Sequence, residues 1–288
     1  MAIVYSTLKG WKFEDSRHEY TEKDAMLYAL SLGLGEEPTD PAQLRYVYEK
    51  DLRSFPTLAV IIGYPGFWLR DERTGVDWVK TVHGEQRLSI LKDLPAAGAV
   101  HARHRVTHVV DKGPGRGVLV ITERRLHDAG TDELLAVASQ TSFCRADGGF
   151  GTGDASPPAL APLPERPAER TCQLTVSARS ALLYRLNGDI NPLHADPEVA
   201  RLAGYPRPIL HGLCTYGMAA RGLLRIYGHD RRLSEFNARF SAPVYPGETL
   251  QVDCWDEPDG STRFRATVPE RGQMVLSHGY AAWARRHT

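Results

Sequence analysis

Three residues able to move protons or hold water, Asp189, Asn191 and His194, fall within six positions beside Gly188 and Pro192. A turn across Asn191-Pro192 would bring the carboxylate and the imidazole over a single water molecule. Such a pair can exchange protons with that water near neutral pH, because histidine titrates close to that range. The same residue types also build Asx turns and helix caps, and that reading stands beside the chemical one. Further along, Pro208-Ile209-Leu210-His211-Gly212 leads into small and apolar side chains (Leu213, Met218, Ala219, Ala220, Leu223, Leu224) that predict a helix over 212–224. The start of that helix would offer free backbone N–H groups backed by the positive end of the helix dipole. Glycine at 212 lets a ligand approach closely, and such a donor suits a carbonyl oxygen that gains negative charge during reaction. Close helix-to-sheet packing would ask for the same small residues at Gly212 and Cys214.

The elements that must hold these residues occur twice. Tyr20 to Gly33 predicts a helix, with Thr21 and Asp24 in a capping arrangement, Met26, Leu27, Leu30 and Leu34 at helical spacing, and Gly33 or Gly35 as the stop. At one fixed offset Thr21 aligns with Ser177, Ala25 with Ala181, Leu27 with Leu183, Tyr28 with Tyr184 and Leu30 with Leu186. Later, Pro56-Thr57-Leu58 lines up with Pro208-Ile209-Leu210. Each half then enters segments of alternating or β-branched residues punctuated by Gly and Pro, which predict strands. These are 99–110, 117–126 and 134–145 in the first half, and 236–242, 249–255, 262–268 and 274–283 in the second. Between the halves, residues 147–170 are dense in Gly and Pro and predict a linker running over the surface. Two similar α+β units are therefore expected, over 1–146 and 171–288. The copies are chemically unequal. Asp189 falls opposite Gly33, His194 opposite Pro38, and His211 and Gly212 opposite Ala59 and Val60, so the candidate chemistry belongs to the second copy.

Composition narrows the function. The 288 residues carry 35 basic and 35 acidic side chains, so no global field steers the chain to nucleic acid or a membrane. Local pairs such as Arg231-Arg232 and Arg285-Arg286 read as solvated surface. Cys144, Cys172, Cys214 and Cys254 are widely spaced and form no CxxC pair, which points to neither zinc nor a disulfide framework and fits a reducing compartment. No basic-apolar leader opens the chain, no apolar run approaches bilayer length, and the final Arg-Arg-His-Thr is not a peroxisomal ending, so a cytoplasmic protein is expected. His101, His104 and His108, with His127 nearby, match no metal-ligand spacing and read as surface or strand-pair histidines. Glu14, Asp15 and Glu19 read as a solvated face. No G-x-S-x-G elbow is present to support serine nucleophilic catalysis.

Six stretches together resemble one family. They are 181–197 (ALLYRLNGDINPLHADP), 207–217 (RPILHGLCTYG) and 238–251 (ARFSAPVYPGETLQ), with 44–49 (LRYVYE), 56–63 (PTLAVIIG) and 82–86 (VHGEQ) in the first half. They resemble the MaoC-like, double hot-dog hydratases of the (R)-specific 2-enoyl-CoA hydratase 2 type, found also as a domain of peroxisomal multifunctional enzymes. The resemblance implies two α+β hot-dog units, each a long central helix wrapped by an antiparallel sheet. The second would carry the catalytic pair, and the degenerate first would make room for an acyl tail. It implies that Asp189 and His194 position and activate a water with Asn191 assisting, and that the backbone N–H of Gly212 is the oxyanion donor. It further implies that His83, Gly84, Lys112 and Phe240 contact a CoA ester, with Glu49 a further acidic residue near the site. Lys112 also suits a phosphate-bearing ligand on charge grounds. The implied reaction is reversible hydration of trans-2-enoyl-CoA to (R)-3-hydroxyacyl-CoA without metal or redox cofactor, CoA being part of the substrate. An acyl-CoA thioesterase on the same architecture and a non-catalytic acyl-CoA-binding module are the competing readings. Sheet edges and helices in such folds often pair, which admits a homodimer.

Overall fold

Alternation of side chains along a strand commits one face to a core, and here nearly every strand commits the same face to one shared sheet. The structure is a computed structural model and describes residues 3–284; the Arg285-Arg286 pair lies outside them. The first half runs through Tyr5–Lys9 (α1), Ser16–Tyr20 (β1), Glu22–Ser31 (α2) and Pro41–Leu44 (α3). Short 3-10 turns follow, then Thr81–Ile90 (β2), Gly98–Asp111 (β3), Val118–Asp128 (β4) and Leu134–Cys144 (β5). The second half holds Arg170–Thr175 (β6), Ser180–Tyr184 (α4), Pro197–Leu202 (α5), Gly212–Tyr227 (α6), Arg232–Phe240 (β7), Thr249–Asp256 (β8), Thr262–Val268 (β9) and Gln273–Ala284 (β10). All ten strands form one sheet in the order β1-β3-β4-β5-β2-β7-β10-β9-β8-β6, and neighbours run antiparallel. The halves meet where β2 pairs with β7, from Glu85 opposite Arg239 to Ser89 opposite Glu235. This is a double hot-dog of the α+β class.

The seven expected strands are present with slightly shifted ends, whereas β1, β2 and β6 were not anticipated. Strand β2 hides because His83-Gly84-Glu85-Gln86 has no clean alternation. The register against β5 slips between His83 and Glu85, which makes Gly84 the extra residue of a bulge. Strand β6 is a short edge strand whose outward positions are exposed, so few of its residues carry an apolar signal.

Helix α2 begins as the capping signal requires. The Thr21 side chain accepts from the Asp24 N–H, and the Asp24 carboxylate accepts from the Thr21 N–H. Its buried stripe is Ala25, Tyr28, Ala29 and Leu32; Leu30, expected inside, is 46% exposed. Helix α6 is apolar on nearly all sides and lies buried along most of its length, as such a helix must. Two glycines let it approach its neighbours. An added Cβ at Gly217 would sit 2.7 Å from Leu32 Cδ2, and one at Gly222 would sit 3.0 Å from Val252 Cγ2. Arg221, buried on α6, donates to the Leu32 carbonyl (3.1 Å) and pairs with Glu36 (2.8 Å), so a second-half cation closes the C-terminal end of the first-half helix.

The expectation of a long central helix in each unit is corrected for the first. Its counterpart to α6 is a 3-10 turn, Pro56–Val60. β-Branched Val60 ends it, Ile61 and Ile62 follow, and Gly63 then takes a left-handed φ of 64°. Gly63 is pressed onto the sheet so tightly that an added Cβ would lie 2.5 Å from Ala102 Cβ. A helix ended by that glycine and by Pro65 cannot lengthen. The 147–169 stretch is irregular and tied down. Asp154 accepts from Val109 N (2.8 Å), Lys9 Nζ (2.8 Å) and Tyr5 Oη (3.0 Å), which sews α1 to β3.

Candidate active site

The polar cluster hangs between α4 and α6. After α4 and one 3-10 turn, Gly188 adopts a left-handed φ of 109° and turns the chain. Asp189 then accepts from Asn191 N (3.2 Å), and the Asn191 side-chain oxygen accepts from Leu193 N (3.1 Å). Both residues therefore do make Asx turns, and the turn they build presents His194 at the end of the 3-10 segment Pro192–His194. The cap and the chemical reading are compatible, because the carboxylate of Asp189 stays exposed.

His194 is only 8% exposed, and its Nδ1 lies 2.9 Å from the Ile209 carbonyl. A carbonyl can only accept, so Nδ1 carries the proton and Nε2 presents its lone pair. His211, 1% exposed, donates Nε2–H to the Asp189 backbone carbonyl at 3.2 Å, and its Nδ1 is buried without a partner among the described residues. The two imidazoles stack with centroids 3.7 Å apart and planes 28° from parallel, and Tyr184 packs on the far side of His211 at 4.9 Å. Burial lowers the pKa of His194. Burial and then the adjacent His194 bring that of His211 down to about 4. Both rings are neutral at pH 7, which leaves His194 able to act as a base.

Ligand atoms of Asp189, His194 and His211 all lie within 4.8 Å of one another. That spacing would admit a metal ion. A water bridging the carboxylate and the His194 Nε2 fits the same spacing, since each link needs about 2.8 Å.

Gly212 is the first residue of α6, whose N-cap His211 makes no side-chain cap bond. Among the described residues the Gly212 and Leu213 N–H groups have no partner, and they open beside the histidine pair. An added Cβ at Gly212 would lie 3.2 Å from Phe240 Cε1. Phe240 in turn packs against the His83 ring at 4.5 Å. Burial pushes the His83 pKa to about 4, and the Asp189 charge, acting the other way, is felt there. The structure thus brings together Asp189, Asn191, His194, Gly212, Phe240 and His83, with Gly84 beside His83 in the β2 bulge. Lys112 is exposed just past β3 and lies 5.1 Å over the Phe143 ring; Phe143 pairs with Val82, next to His83. Glu49 is exposed, and no side-chain contact joins it to the cluster among the described residues. The sequence marks His211 as part of the chemistry peculiar to the second copy but gives it no role of its own. Its signal was the His-Gly pair at a helix start, which does not reveal that the ring stacks on His194. Of the other histidines, His101 pairs across strands with His127 as expected, whereas His104 faces inward and donates to the Gly63 carbonyl at 2.9 Å.

Comparison with known proteins finds a MaoC like domain over residues 160–275 and an MFE-2 hydratase 2 N-terminal domain over residues 18–146. The chain is 36% identical over 283 residues to peroxisomal multifunctional enzyme type 2 of Mus musculus, covering 94% of this chain and 37% of that one. It therefore spans little more than a third of that relative. It is 36% identical over 295 residues to probable enoyl-CoA hydratase 2 of Dictyostelium discoideum, covering 98% and 97% of the two chains. The crystal structure of a MaoC-like dehydratase from Phytophthora capsici superposes with a TM-score of 0.86 at 30% identity, over 98% of this chain and 99% of that one. No helix among the described residues is long and apolar enough to cross a membrane.

Proposed function

The chain belongs to the MaoC-like hydratase 2 family, and from that premise we propose that it is an (R)-specific enoyl-CoA hydratase. The reaction adds water reversibly and syn across a trans-2-enoyl-CoA to give (R)-3-hydroxyacyl-CoA. The observation that carries this reading is the exposed Asp189 carboxylate within 4.8 Å of the neutral His194, beside a helix start with free N–H groups. In the proposed step Asp189 and His194 hold one water, and Asn191 keeps the turn in shape. The water oxygen bonds to C3 as the C2=C3 π bond breaks, His194 Nε2 takes one water proton, and the same proton passes from His194 to C2 on the same face, which leaves the ring neutral again. The Gly212 N–H binds the thioester oxygen while it carries enolate-like charge. His83, Gly84, Phe240 and Lys112 line the approach of the CoA ester in this reading. Atoms balance with neither metal nor redox cofactor. A reducing, cytoplasmic setting belongs to the same proposal, supported by four cysteines that are free and buried.

Hydration of crotonyl-CoA, followed as loss of the conjugated enoyl-thioester absorbance with chiral analysis of the product, tests it. Asp189→Asn and His194→Gln should each lower kcat by about 10²- to 10⁴-fold, as expected for loss of positioned acid–base catalysis, with unchanged circular dichroism. Near wild-type turnover in both variants would reject the assignment. Release of free thiol in place of hydration would favour a thioesterase.

A further inference from the structure

Where the first half lacks a central helix, the inner face of its sheet is apolar at Leu88, Ala102, Leu126 and Ala136, which join the core, and turns polar farther along the same strands. Gln86, His104, Thr122, Arg124, Gln140 and Ser142, from β2 to β5, line a narrow pocket beneath the 56–69 segment. The sheet of the second half instead buries Phe236, Ala238, Phe264 and Ala266 against α6. Arg124 is the unusual member. It is 7% exposed, and no carboxylate among the described residues pairs with it. Neighbouring Glu123 pairs with Arg105 and Arg125 instead. One nitrogen, Nη2, donates to the Ala59 and Val60 carbonyls, while Nε is buried without a partner. Two carbonyls would be served as well by a neutral amide. A full cation taken out of water asks for an anion, because an uncompensated buried charge costs several kcal/mol.

The pocket is tied to the catalytic cluster through β2 and β5, where His83 pairs with Ser142 and Gln86 with Gln140, and all but His83 line it. Tyr64 lines it, with the Arg124 guanidinium 5.9 Å over its ring. Tyr64 keeps 47% of its surface open, and it is the phenol end that is enclosed: burial there raises its pKa, Asp189 raises it further and Arg124 lowers it. On β2, His83 and Gln86 look the same way across the Gly84 bulge, and Gln86 acts on the His83 ring. A chain that spans the two would have to leave the cluster, pass Tyr64 and end at Arg124.

We propose that the first half selects an acyl thioester whose tail ends in a carboxylate, which the Arg124 guanidinium takes up. This rests on the reading of the Asp189–His194 cluster as a site for acyl thioesters and names the class of tail it accepts. The planar guanidinium can give Nε–H and an Nη–H to the two carboxylate oxygens, the fork that matches that anion. A methyl-ended tail of equal length would leave the cation buried and unpaired, so discrimination should be large.

The test compares adipoyl-, suberoyl- and sebacoyl-CoA with hexanoyl-, octanoyl- and decanoyl-CoA by calorimetry on the full chain. At one length or more the dicarboxylyl form should bind at least about tenfold tighter, the scale of a hydrogen bond to a charged group. Arg124→Met should abolish that preference. Arg124→Lys, which keeps the charge without the fork, should retain part of it and serves if the Met variant does not fold. Equal affinities at every length, or a preference that survives in Arg124→Met, overturns the proposal. So does tighter hexanoyl-CoA binding on adding acetate with no dicarboxylyl preference, since Arg124 would then be taking a free anion. Turnover of the matching trans-2-enoyl thioesters separates the two readings. Hydration without the preference rejects this inference alone, and the preference without hydration rejects the hydratase reading alone.

Discussion

Mild acid should destabilise this protein, and three buried or half-buried histidines carry much of the effect. His211, His83 and His104 have pKa values near 4 in the fold against an ordinary 6.5, with burial the first cause in each. Between those values the unfolded chain binds more protons than the folded one. Stability is therefore full above about pH 6.5 and falls as pH drops toward 4. For one such group at pH 5 the loss is RT ln[(1 + 10^1.5)/(1 + 10^−1)], or about 2 kcal/mol. His211, at 1% exposure, should contribute that in full. His83 and His104 are partly exposed, and halving their shares for solvent screening brings the sum to about 4 kcal/mol. Set against a total stability of about 5–15 kcal/mol, that is a large fraction. Urea unfolding of wild type at pH 7, 6 and 5 measures the slope, and His211→Gln isolates one group. The variant should lose about 2 kcal/mol of the change between pH 7 and 5, whatever its stability at pH 7. Equal stability of wild type at pH 7 and 5, or a variant as steep as wild type, would refute the reasoning.

Two further changes test the scaffold. Thr21→Ala removes the hydroxyl that accepts from Asp24 N and should cost about 1 kcal/mol, lowering Tm by about 2–4 °C in thermal melts. An unchanged Tm would mean that α2 is held by packing alone. Gly63→Ala meets both a left-handed φ of 64° and a contact of 2.5 Å with Ala102. Gly66→Ala, with φ 77° and open space, meets only the first. The Gly63 variant should lose about 1–3 kcal/mol in urea denaturation, clearly more than its Gly66 control, and equal losses would refute the close approach.

What could be read from the chain followed from how local each signal is. Asp189, Asn191 and His194 lie on one turn, and Gly212 opens one helix, so spacing alone brought them forward. The capping pair Thr21–Asp24 was visible for the same reason. Arg124 was not, because Glu123-Arg124-Arg125 on a strand looks like solvated charge. Only the 56–69 segment, folding over one face of β4, buries the middle residue. Leu30 deceived in the opposite direction: helical spacing marked it as core, but α4 packs beside α2 and leaves that position at the surface. The absent first-half helix was hinted at by Gly63 and Pro65, whose meaning depends on how closely the backbone must approach β3. Strand β2 was obscured by the very bulge that orients His83.

The antiparallel seam of β2 and β7 makes the two units a fused pair rather than an assembled one. Two identical subunits meeting in the same way would carry every substitution twice, once in each symmetry-related position. A residue favourable beside the reacting atoms would then also have to be tolerated at the opposite end. Covalent fusion removes that constraint. One copy can conserve α6 and the groups around it, while the other gives up its helix and places a cation on its inner face. The seam still keeps His83 of one copy on Phe240 of the other, so divergence in sequence has not become independence in space. Cutting the chain within 147–169 should therefore yield fragments that regain this contact only together.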